Sequence, residues 1–490
     1  MDSVTGSTTN LAFSVLADHH TSLMHGWIPG TVQAVTVTTL LLAVGWRSRR
    51  WRLLWLPAAA AVGAGVAGWA HWYVNADGLA DDPAPHLLWW WIACSGAAVV
   101  ISVLGWRSAA WWRRGASLLA VPLCLLSTAL VLNLWVGYFP TVQTALNQLT
   151  AGPLPDQTDL ATVNAMAANG AQPRHGSLVP VTIPYDASHF KHRGELVYLP
   201  PAWFASTPPP QLSTVMMIGG EFNTPADWAR AGNAVKTIDD LAATHGGNAP
   251  VFVFVDSGGA FNNDTECVNG TRGNAADHLT KDVVPYMVSS FGVSPDPSRW
   301  GIVGWSMGGT CAVDLTVMHP ELFSSFVDIA GNIGPDTGTK AQTIARLFGG
   351  NTDAWAAFDP ATVITRHGRY DDVSGWFAIS SDNVPKRYHS LAVADAGAIG
   401  LGGQDNIRYP DDQTAAADRL CRLGRGNGID CAIVAQPGKH DWPFASRVFA
   451  KALPWLAGEL DTPGVPLIAL PSSSPPPVSA SAPRNEPIGR

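Results

Sequence analysis

Charge is scarce in this sequence, above all in its first third. Only 14% of the 490 residues are charged, and the first lysine is Lys191. The formal net charge of -8 comes without a basic patch, which argues against nucleic acid as a partner. Residues 1–27 contain no Lys or Arg, so the positively charged start of a secretory signal peptide is missing. We interpret them as an extracytoplasmic N-terminal leader.

Long apolar runs occupy the first third of the sequence, where charged residues are scarce. Each run has about 20 residues without Asp, Glu, Lys or Arg, enough to cross a bilayer core as a helix. Tryptophans cluster at their edges, where indole rings settle at the headgroup level. The sequence therefore predicts four transmembrane helices within residues 28–139. The runs are Ile28–Trp46, Leu53–Val74, Leu87–Trp106 and Ala116–Phe139.

The few charges between these runs predict an orientation. The first and third connections carry arginines, including Arg47 and Arg113, whereas the second carries Asp77, Asp81 and Asp82 without a basic residue. Basic loops stay in the cytoplasm. We therefore expect a multi-pass cell-membrane protein whose N-terminus, and everything after Phe139, faces the extracytoplasmic space.

The remaining chain has the composition of a soluble α/β domain between two less regular stretches. Residues 140–175 are predicted to be a linker with one helix near 159–169, and residues 461–490 a disordered tail rich in Pro and Ser. Between them, residues 176–460 alternate short apolar runs with helical patterns, which predicts a mostly parallel sheet with flanking helices. The predicted strands are 177–183, 195–199, 213–218, 250–255, 301–304, 326–330, 375–380 and 431–435.

A Gly-x-Ser-x-Gly motif follows the strand at 301–304. Gly304, Ser306 and Gly308 stand between this strand and a helical run that begins with small residues. This context is typical of a nucleophile elbow, a tight turn that exposes a serine and has glycines where the backbone is crowded. Ser306 is therefore our candidate nucleophile.

A serine nucleophile needs a base and an acid that orients the base. His440 follows the last predicted strand in a glycine-containing loop, which is the position expected for the base in an α/β-hydrolase. Asp382 directly follows the strand at 375–380, so we favour it as the acid. Asp405, after a long loop, is the alternative acid.

Two backbone N–H groups are expected to form the oxyanion hole. One belongs to Met307, the residue after the nucleophile, and the other to Gly220, which follows the third strand of the series. No metal or organic cofactor is required for this chemistry, and the cysteine spacings do not predict a zinc site.

The six cysteines divide between the two halves of the chain. Cys94 and Cys124 lie in predicted membrane segments, and the other four lie in the domain predicted to be outside, where oxidising conditions favour disulfides. Three pairings of those four are possible. We favour Cys421–Cys431, which brackets a short loop, together with Cys267–Cys311; free thiols are the alternative.

Several motifs together resemble the esterase D family of α/β-hydrolases, which includes S-formylglutathione hydrolases, feruloyl esterases and mycolyltransferases. The resemblance implies a Ser-His-Asp triad in an α/β-hydrolase fold, and four membrane helices before such a domain look like membrane-anchored actinobacterial esterases. The motifs are the segments 197–201, 219–220, 282–286, 304–309, 319–323 and 438–442.

The predicted function is that of a membrane-anchored, extracytoplasmic serine esterase acting on an acyl-ester or lipid substrate. An acyltransferase that moves an acyl chain to an envelope sugar or lipid would use the same triad, so this alternative stays open. A non-catalytic envelope scaffold that keeps the hydrolase fold is a second alternative.

Overall fold

The computed structural model describes residues 22–24, 26–45, 48–77, 84–139, 141–149, 154–381 and 413–471. The chain forms two compact units. The first comprises residues 1–153 with 441–443, and the second comprises residues 154–440 with 444–490. Most of the predicted leader and the predicted tail after residue 471 lie outside the described residues.

The first unit is helical. Four of its helices are long and apolar enough to cross a membrane, as the sequence predicts. A fifth, short helix lies at Val142–Leu149, a part of the linker for which no helix is predicted, whereas the helix predicted near 159–169 is present at Leu160–Ala168. The helices are α1 (Trp27–Val44), α2 (Leu56–Asp77, preceded by a π-helical turn at Trp51–Trp55), α3 (His86–Gly105), α4 (Trp111–Val136) and α5 (Val142–Leu149).

Several hydroxyl side chains inside this unit form hydrogen bonds between the helices. The hydroxyls of Thr36 in α1 and Ser127 in α4 are buried and lie 2.9 Å apart. Ser102 in α3 donates to the carbonyl oxygen of Ser117 in α4 at 2.8 Å. Hydroxyl pairs of this kind join helices in an apolar medium, where an unpaired polar group is costly. Cys124 is buried and forms no disulfide.

The second unit is built on an eight-stranded sheet in the order β1-β2-β4-β3-β7-β8-β9-β10. Strands β1 and β2 pair antiparallel, β2 pairs antiparallel with β4, and all further neighbours are parallel. The sheet strands are β1 (Ser177–Val181), β2 (Glu195–Leu199), β3 (Thr214–Ile218), β4 (Val251–Val255), β7 (Trp300–Trp305), β8 (Ser325–Ile329), β9 (Ser374–Ser380) and β10 (Asp430–Gln436); β5 (Asn269–Gly270) and β6 (Gly273–Asn274) form a separate hairpin.

The central strands are buried along their whole length. Every residue of β3, β4 and β7 is buried, which explains why these strands read as continuous apolar runs rather than as an alternating pattern. Helices cover the two faces. They are α6 (Leu160–Ala168), α7 (Pro225–Arg230), α8 (Ala234–Thr244), α9 (Ala275–Asp277), α10 (Val284–Phe291), α11 (Met307–Met318), α12 (Lys340–Phe348), α13 (Thr352–Ala356), α14 (Pro360–His367), α15 (Gln413–Gly426) and α16 (Trp442–Glu459).

The predicted fold class is confirmed: a mostly parallel sheet with flanking helices follows four apolar helices. Both favoured disulfides are confirmed as well. Cys267 and Cys311 are bonded with their Cα atoms 5.7 Å apart, and Cys421 and Cys431 with theirs 5.8 Å apart. The first of these bonds joins the connection after β4 to helix α11.

Candidate active site

The nucleophile elbow lies between β7 and α11. Ser306 directly follows β7 and has φ 57° and ψ -124°, a backbone conformation that non-glycine residues rarely adopt. A Cβ atom on Gly304 would lie 1.6 Å from the carbonyl oxygen of Gly308, and one on Gly308 would lie 2.4 Å from that of Ile218. Only glycine fits at these two positions, so the motif has the context that the elbow requires.

His440 lies beside the serine. Its Nε2 is 3.0 Å from the Oγ of Ser306, within hydrogen-bond distance, and its ring centroid is 4.2 Å from that of Trp305. The loop before it turns at Gly438, which has φ 148°. The carbonyl oxygen of Gly438 accepts a hydrogen bond from the Ser380 hydroxyl at the end of β9. The two residues expected to exchange a proton are thus adjacent.

Gln413, at the start of α15, approaches the other ring nitrogen of His440. Its Nε2 lies 3.0 Å from His440 Nδ1 and donates to the carbonyl oxygen of Ala330 at 3.2 Å. The sequence analysis missed this residue, because a lone glutamine at a helix start carries no motif. Both candidate acids, Asp382 and Asp405, lie outside the described residues, so their roles stay predictions.

Met307 is placed as an oxyanion donor requires. It is the first residue of α11, and the first N–H groups of a helix have no acceptor within the helix. The Ser306 amide, by contrast, donates to the carbonyl oxygen of Ile329 at 2.9 Å and is not available. The partial positive charge of the helix N-terminus adds to the stabilisation of an anion there.

Gly220 lies against the nucleophile, but its amide is already paired. A Cβ atom on Gly220 would lie 3.1 Å from the Cβ of Ser306. Its N–H donates to the side-chain Oδ1 of Asn223 at 2.9 Å. The loop is therefore where the sequence predicts it, and the Asn223 side chain competes for the predicted donor. Sequence reasoning did not include Asn223, because an asparagine in a turn is ordinary.

A buried histidine–carboxylate cluster lies at the base of β2. The ligand atoms of His192, Glu195 and His278 lie within 4.8 Å of one another, so proximity alone would allow a metal ion. The two nitrogens of His192 face the carbonyl oxygens of Arg193 at 2.8 Å and Ile183 at 2.9 Å. The two imidazole rings stack with centroids 4.2 Å apart, so their in-plane lone pairs do not converge on one point. Hydrogen bonding accounts for this cluster better than ligation.

The contacts of His278 also favour hydrogen bonding over metal ligation. Its Nε2 lies 3.1 Å from Glu195 and its Nδ1 lies 3.3 Å from Asp282. Burial works to lower the pKa of His278, but the hydrogen bonds and charges of the two carboxylates raise it above its ordinary value. The cluster is a buried ion network that joins β2 to the helical segment before α10.

Two buried carboxyl groups lie around α11. Asp328 Oδ1 accepts a hydrogen bond from the Gly331 amide at 2.7 Å, and burial raises the pKa of Asp328 to about 7. Burial, together with the charges of Asp359 and Asp328, raises the pKa of Asp314 well above its ordinary value. Protonated carboxyls are uncharged, so they can be buried beneath the elbow without a cation.

Comparison with known proteins agrees with this geometry. Residues 191–386 match the family described as "Putative esterase". This match supports the predicted enzyme class, an ester hydrolase or acyltransferase. Over 428 residues, 84% of this chain and 93% of the other, the chain is 29% identical to an uncharacterized protein of Corynebacterium glutamicum.

Solved structures match part of this chain. A ferulic acid esterase is 15% identical, with a TM-score of 0.44, and the match covers 58% of this chain and 99% of that one. S-Formylglutathione hydrolase from Agrobacterium tumefaciens is 17% identical, with a TM-score of 0.44 and coverage of 59% and 97%. MPT51 of Mycobacterium tuberculosis is 16% identical, with a TM-score of 0.37 and coverage of 57% and 99%.

Proposed function

We propose that this protein is a membrane-anchored serine esterase whose catalytic unit faces the extracytoplasmic space. The observation that carries the proposal is the 3.0 Å separation between Ser306 Oγ and His440 Nε2, with the serine on a strained elbow at a helix N-terminus. A serine is a weak nucleophile unless a base takes its proton, and this pair provides the base.

In the proposed reaction Ser306 Oγ attacks the ester carbonyl carbon while its proton passes to His440 Nε2. The N–H of Met307, with that of Gly220 once Asn223 releases it, stabilises the oxyanion. The tetrahedral intermediate collapses, His440 protonates the departing alcohol, and an acyl-serine remains. Water, deprotonated by His440, then attacks the acyl-serine and releases the acid. We assign the role of orienting the imidazole to Asp382, with Asp405 as the alternative.

The proposed location rests on charge and on cysteine chemistry. Arginines flank the first and third connections of the four apolar helices, which favours a catalytic unit on the opposite side of the membrane. Two disulfides in that unit suit an oxidising compartment, and the cysteines of the helical unit are free. Protease accessibility of the catalytic unit in intact spheroplasts tests this orientation.

Labelling of the full-length protein in membranes with a fluorophosphonate tests the proposed chemistry. The probe should label wild type, whereas Ser306→Ala should abolish labelling and His440→Ala should slow it by several orders of magnitude. Turnover of a short nitrophenyl ester by Asp382→Asn and Asp405→Asn identifies the acid. Folded wild type that takes no label would refute the serine mechanism and leave the scaffold alternative.

The oxyanion assignment has its own test in the same assay. Asn223→Asp keeps an acceptor on the Gly220 amide and adds negative charge where the oxyanion forms, so we expect kcat to fall at least tenfold. Asn223→Ala frees the amide and should retain or raise kcat. Equal effects of the two variants would contradict the role of Gly220.

Acyl transfer is the second candidate, since the catalytic unit shares a chain with four apolar helices and would meet envelope lipids and glycans at the bilayer. Both reactions pass through the same acyl-serine. Product analysis with and without a sugar acceptor separates them: acylated acceptor formed in preference to free acid identifies a transferase, and free acid alone identifies a hydrolase.

A further inference from the structure

The loop that follows β3 and the loop that follows β4 carry phenylalanines whose rings lie close together. Phe222 lies in the loop after β3, two residues beyond Gly220, and Phe261 lies in the loop after β4. Their ring centroids are 5.3 Å apart, with the planes inclined by 39°. Phe261 is 68% exposed, the largest exposed fraction of any aromatic residue that the structure describes in the second unit. Phe222 is half-buried, so the pair lies at the surface of the unit rather than in its core.

The backbone at Phe222 is held in an unfavourable conformation. Its φ is 64°, in the left-handed region that bulky side chains rarely enter. Such a conformation persists only where surrounding contacts enforce it, and these sites are common around bound ligands. Here the enforcing contacts are near: the Asn223 amide donates to the Gly220 carbonyl oxygen at 3.1 Å, and Asn223 Oδ1 accepts from the Gly220 amide.

An ion pair between the partly buried Arg193 and the buried Asp256 joins the two loops. The Arg193 side chain donates to both carboxylate oxygens of Asp256, at 2.6 and 3.1 Å, and its Nη2 also donates to the carbonyl oxygen of Asn223 at 2.7 Å. Asp256 directly follows β4. Its carboxylate accepts hydrogen bonds from the amides of Gly258 and Gly259, each at 3.2 Å. One guanidinium therefore connects the loop of Phe222 to the loop of Phe261.

The ionised state of Asp256 supports this link between the two loops. Burial alone would raise the pKa of Asp256, but the hydrogen bonds and charge of Arg193 hold it below its ordinary value. The pair stays ionised across the physiological range. A bidentate guanidinium–carboxylate contact also fixes orientation, which a lysine could not reproduce.

The β4 loop is further tied to the nucleophile helix. Cys267, at the far end of this loop, is bonded to Cys311, five residues after Ser306. Within the loop, Asn263 Nδ2 donates to the carbonyl oxygen of Gly258 at 2.8 Å. Both loops are thus fixed with respect to the elbow, one by a disulfide and one by the close approach of Gly220 to Ser306.

We propose that Phe222 and Phe261 form the surface that binds the apolar acyl chain of the ester substrate, with Arg193 and Asp256 as positioning residues. This inference rests on the proposed esterase function and names its substrate class: an ester with an extended alkyl chain. Alkyl carbons pack against aromatic faces, and each additional methylene that leaves water strengthens binding of the longer substrate.

The test compares nitrophenyl acetate with nitrophenyl octanoate on the full-length protein in detergent, below the concentration at which the octanoate aggregates. The measured quantity is the ratio of kcat/KM for octanoate to that for acetate. We expect wild type to prefer octanoate, and Phe261→Ala and Phe222→Ala each to lower the ratio at least tenfold, mainly through KM for octanoate.

Tyr185→Ala is the matched control. This tyrosine is 43% exposed in the same unit, and its ring contacts His192 rather than the two loops, so the ratio should not change. Arg193→Lys keeps the charge but loses the bidentate contact, and it should lower the ratio in the same direction as Phe261→Ala. Arg193→Gln should lower it further.

The outcomes separate the two proposals. Wild type that hydrolyses neither ester and takes no fluorophosphonate would refute the esterase function itself. Wild type that hydrolyses both esters, with a ratio that Phe261→Ala leaves unchanged, would refute only the acyl-binding surface. A fall in both rates by the same factor would also refute it, because a merely structural effect does not distinguish chain lengths.

Discussion

The two units of this protein use similar apolar side chains in opposite ways. In each of the four long helices at most 33% of the most apolar window is buried, and leucines such as Leu119 and Leu125 are more than half exposed. In the sheet unit the central strands are buried along their whole length. Apolar side chains thus point outward on the four long helices and inward in the sheet unit. The proposed membrane location accounts for this difference, because lipid tails are as apolar as leucine side chains, whereas water favours burial.

The largest expected effect comes from placing a charge on the outer face of the helical unit. Leu125 lies near the middle of α4 and is 55% exposed. Leu125→Lys puts an ammonium at the centre of a spanning helix, which costs about 3 kcal/mol on insertion scales. We expect most of the variant to be lost from the membrane fraction. Leu467→Lys is the control, since Leu467 is 74% exposed in the other unit; equal loss of both variants would contradict a spanning α4.

Removing a buried side chain in the sheet unit should lower the free energy of unfolding rather than prevent membrane insertion. Phe326 in β8 is 1% exposed, and its ring centroid lies 5.2 Å from that of Phe377. Phe326→Ala should cost about 3–5 kcal/mol of unfolding free energy, because it leaves a cavity in a close-packed core. Leu119→Ala on the exposed face of α4 should shift the unfolding transition much less. Thermal unfolding in the same detergent measures both, and similar shifts would refute the proposed difference between the units.

The cysteines provide a further test of the difference between the two units. Replacing Cys267 and Cys311 together by Ser should cost about 2–4 kcal/mol, since the bond restricts the unfolded chain across 44 residues. Cys94→Ala in the helical unit should cost little, because that thiol is free. Unfolding followed with and without a reductant checks both variants. A reductant that leaves the wild-type transition unchanged would contradict the stabilising role of the disulfides.

The smallest expected effect is a pH dependence specific to the sheet unit. Burial raises the pKa of Asp328 from 3.8 to about 7. At pH values between these two, the folded state holds a proton that the unfolded chain has released, so stability falls as the pH rises through this range. Asp328→Asn keeps an acceptor for Gly331 and should narrow the difference in unfolding temperature between pH 5 and pH 8 by a few degrees. Asp240→Asn, an exposed carboxylate, should leave the wild-type difference in place; an unchanged difference in Asp328→Asn would refute the shift.

Most of the helices and strands could be predicted from the sequence, because the residues that specify each of them are contiguous. Runs of 20 apolar residues have few alternatives to a spanning helix, and continuous β-branched and aromatic runs predict buried parallel strands. The elbow is equally local, since Gly304, Ser306 and Gly308 form one contiguous motif. The short helix α5 was missed because its eight residues carry no cap or charge signal strong enough to distinguish it from a linker.

Contacts between distant segments could not be predicted in this way. Gln413 meets His440 only because the order of the strands brings their segments together. Arg193 and Asp256 are 63 residues apart and share no motif. Each of these residues is common in ordinary turns and helix ends, so a single sequence gives no reason to select it.

The crowding around the elbow also bears on how tolerance to mutation should be interpreted in this protein. Gly304 and Gly308 take part in no proton transfer, yet neither position has space for even a methyl group. In a saturation mutagenesis screen scored by activity, these glycines should be as intolerant as Ser306, the proposed nucleophile. Abundance measured in the same screen would separate them: glycine variants should be depleted from the folded pool, whereas Ser306→Ala should accumulate normally and be inactive.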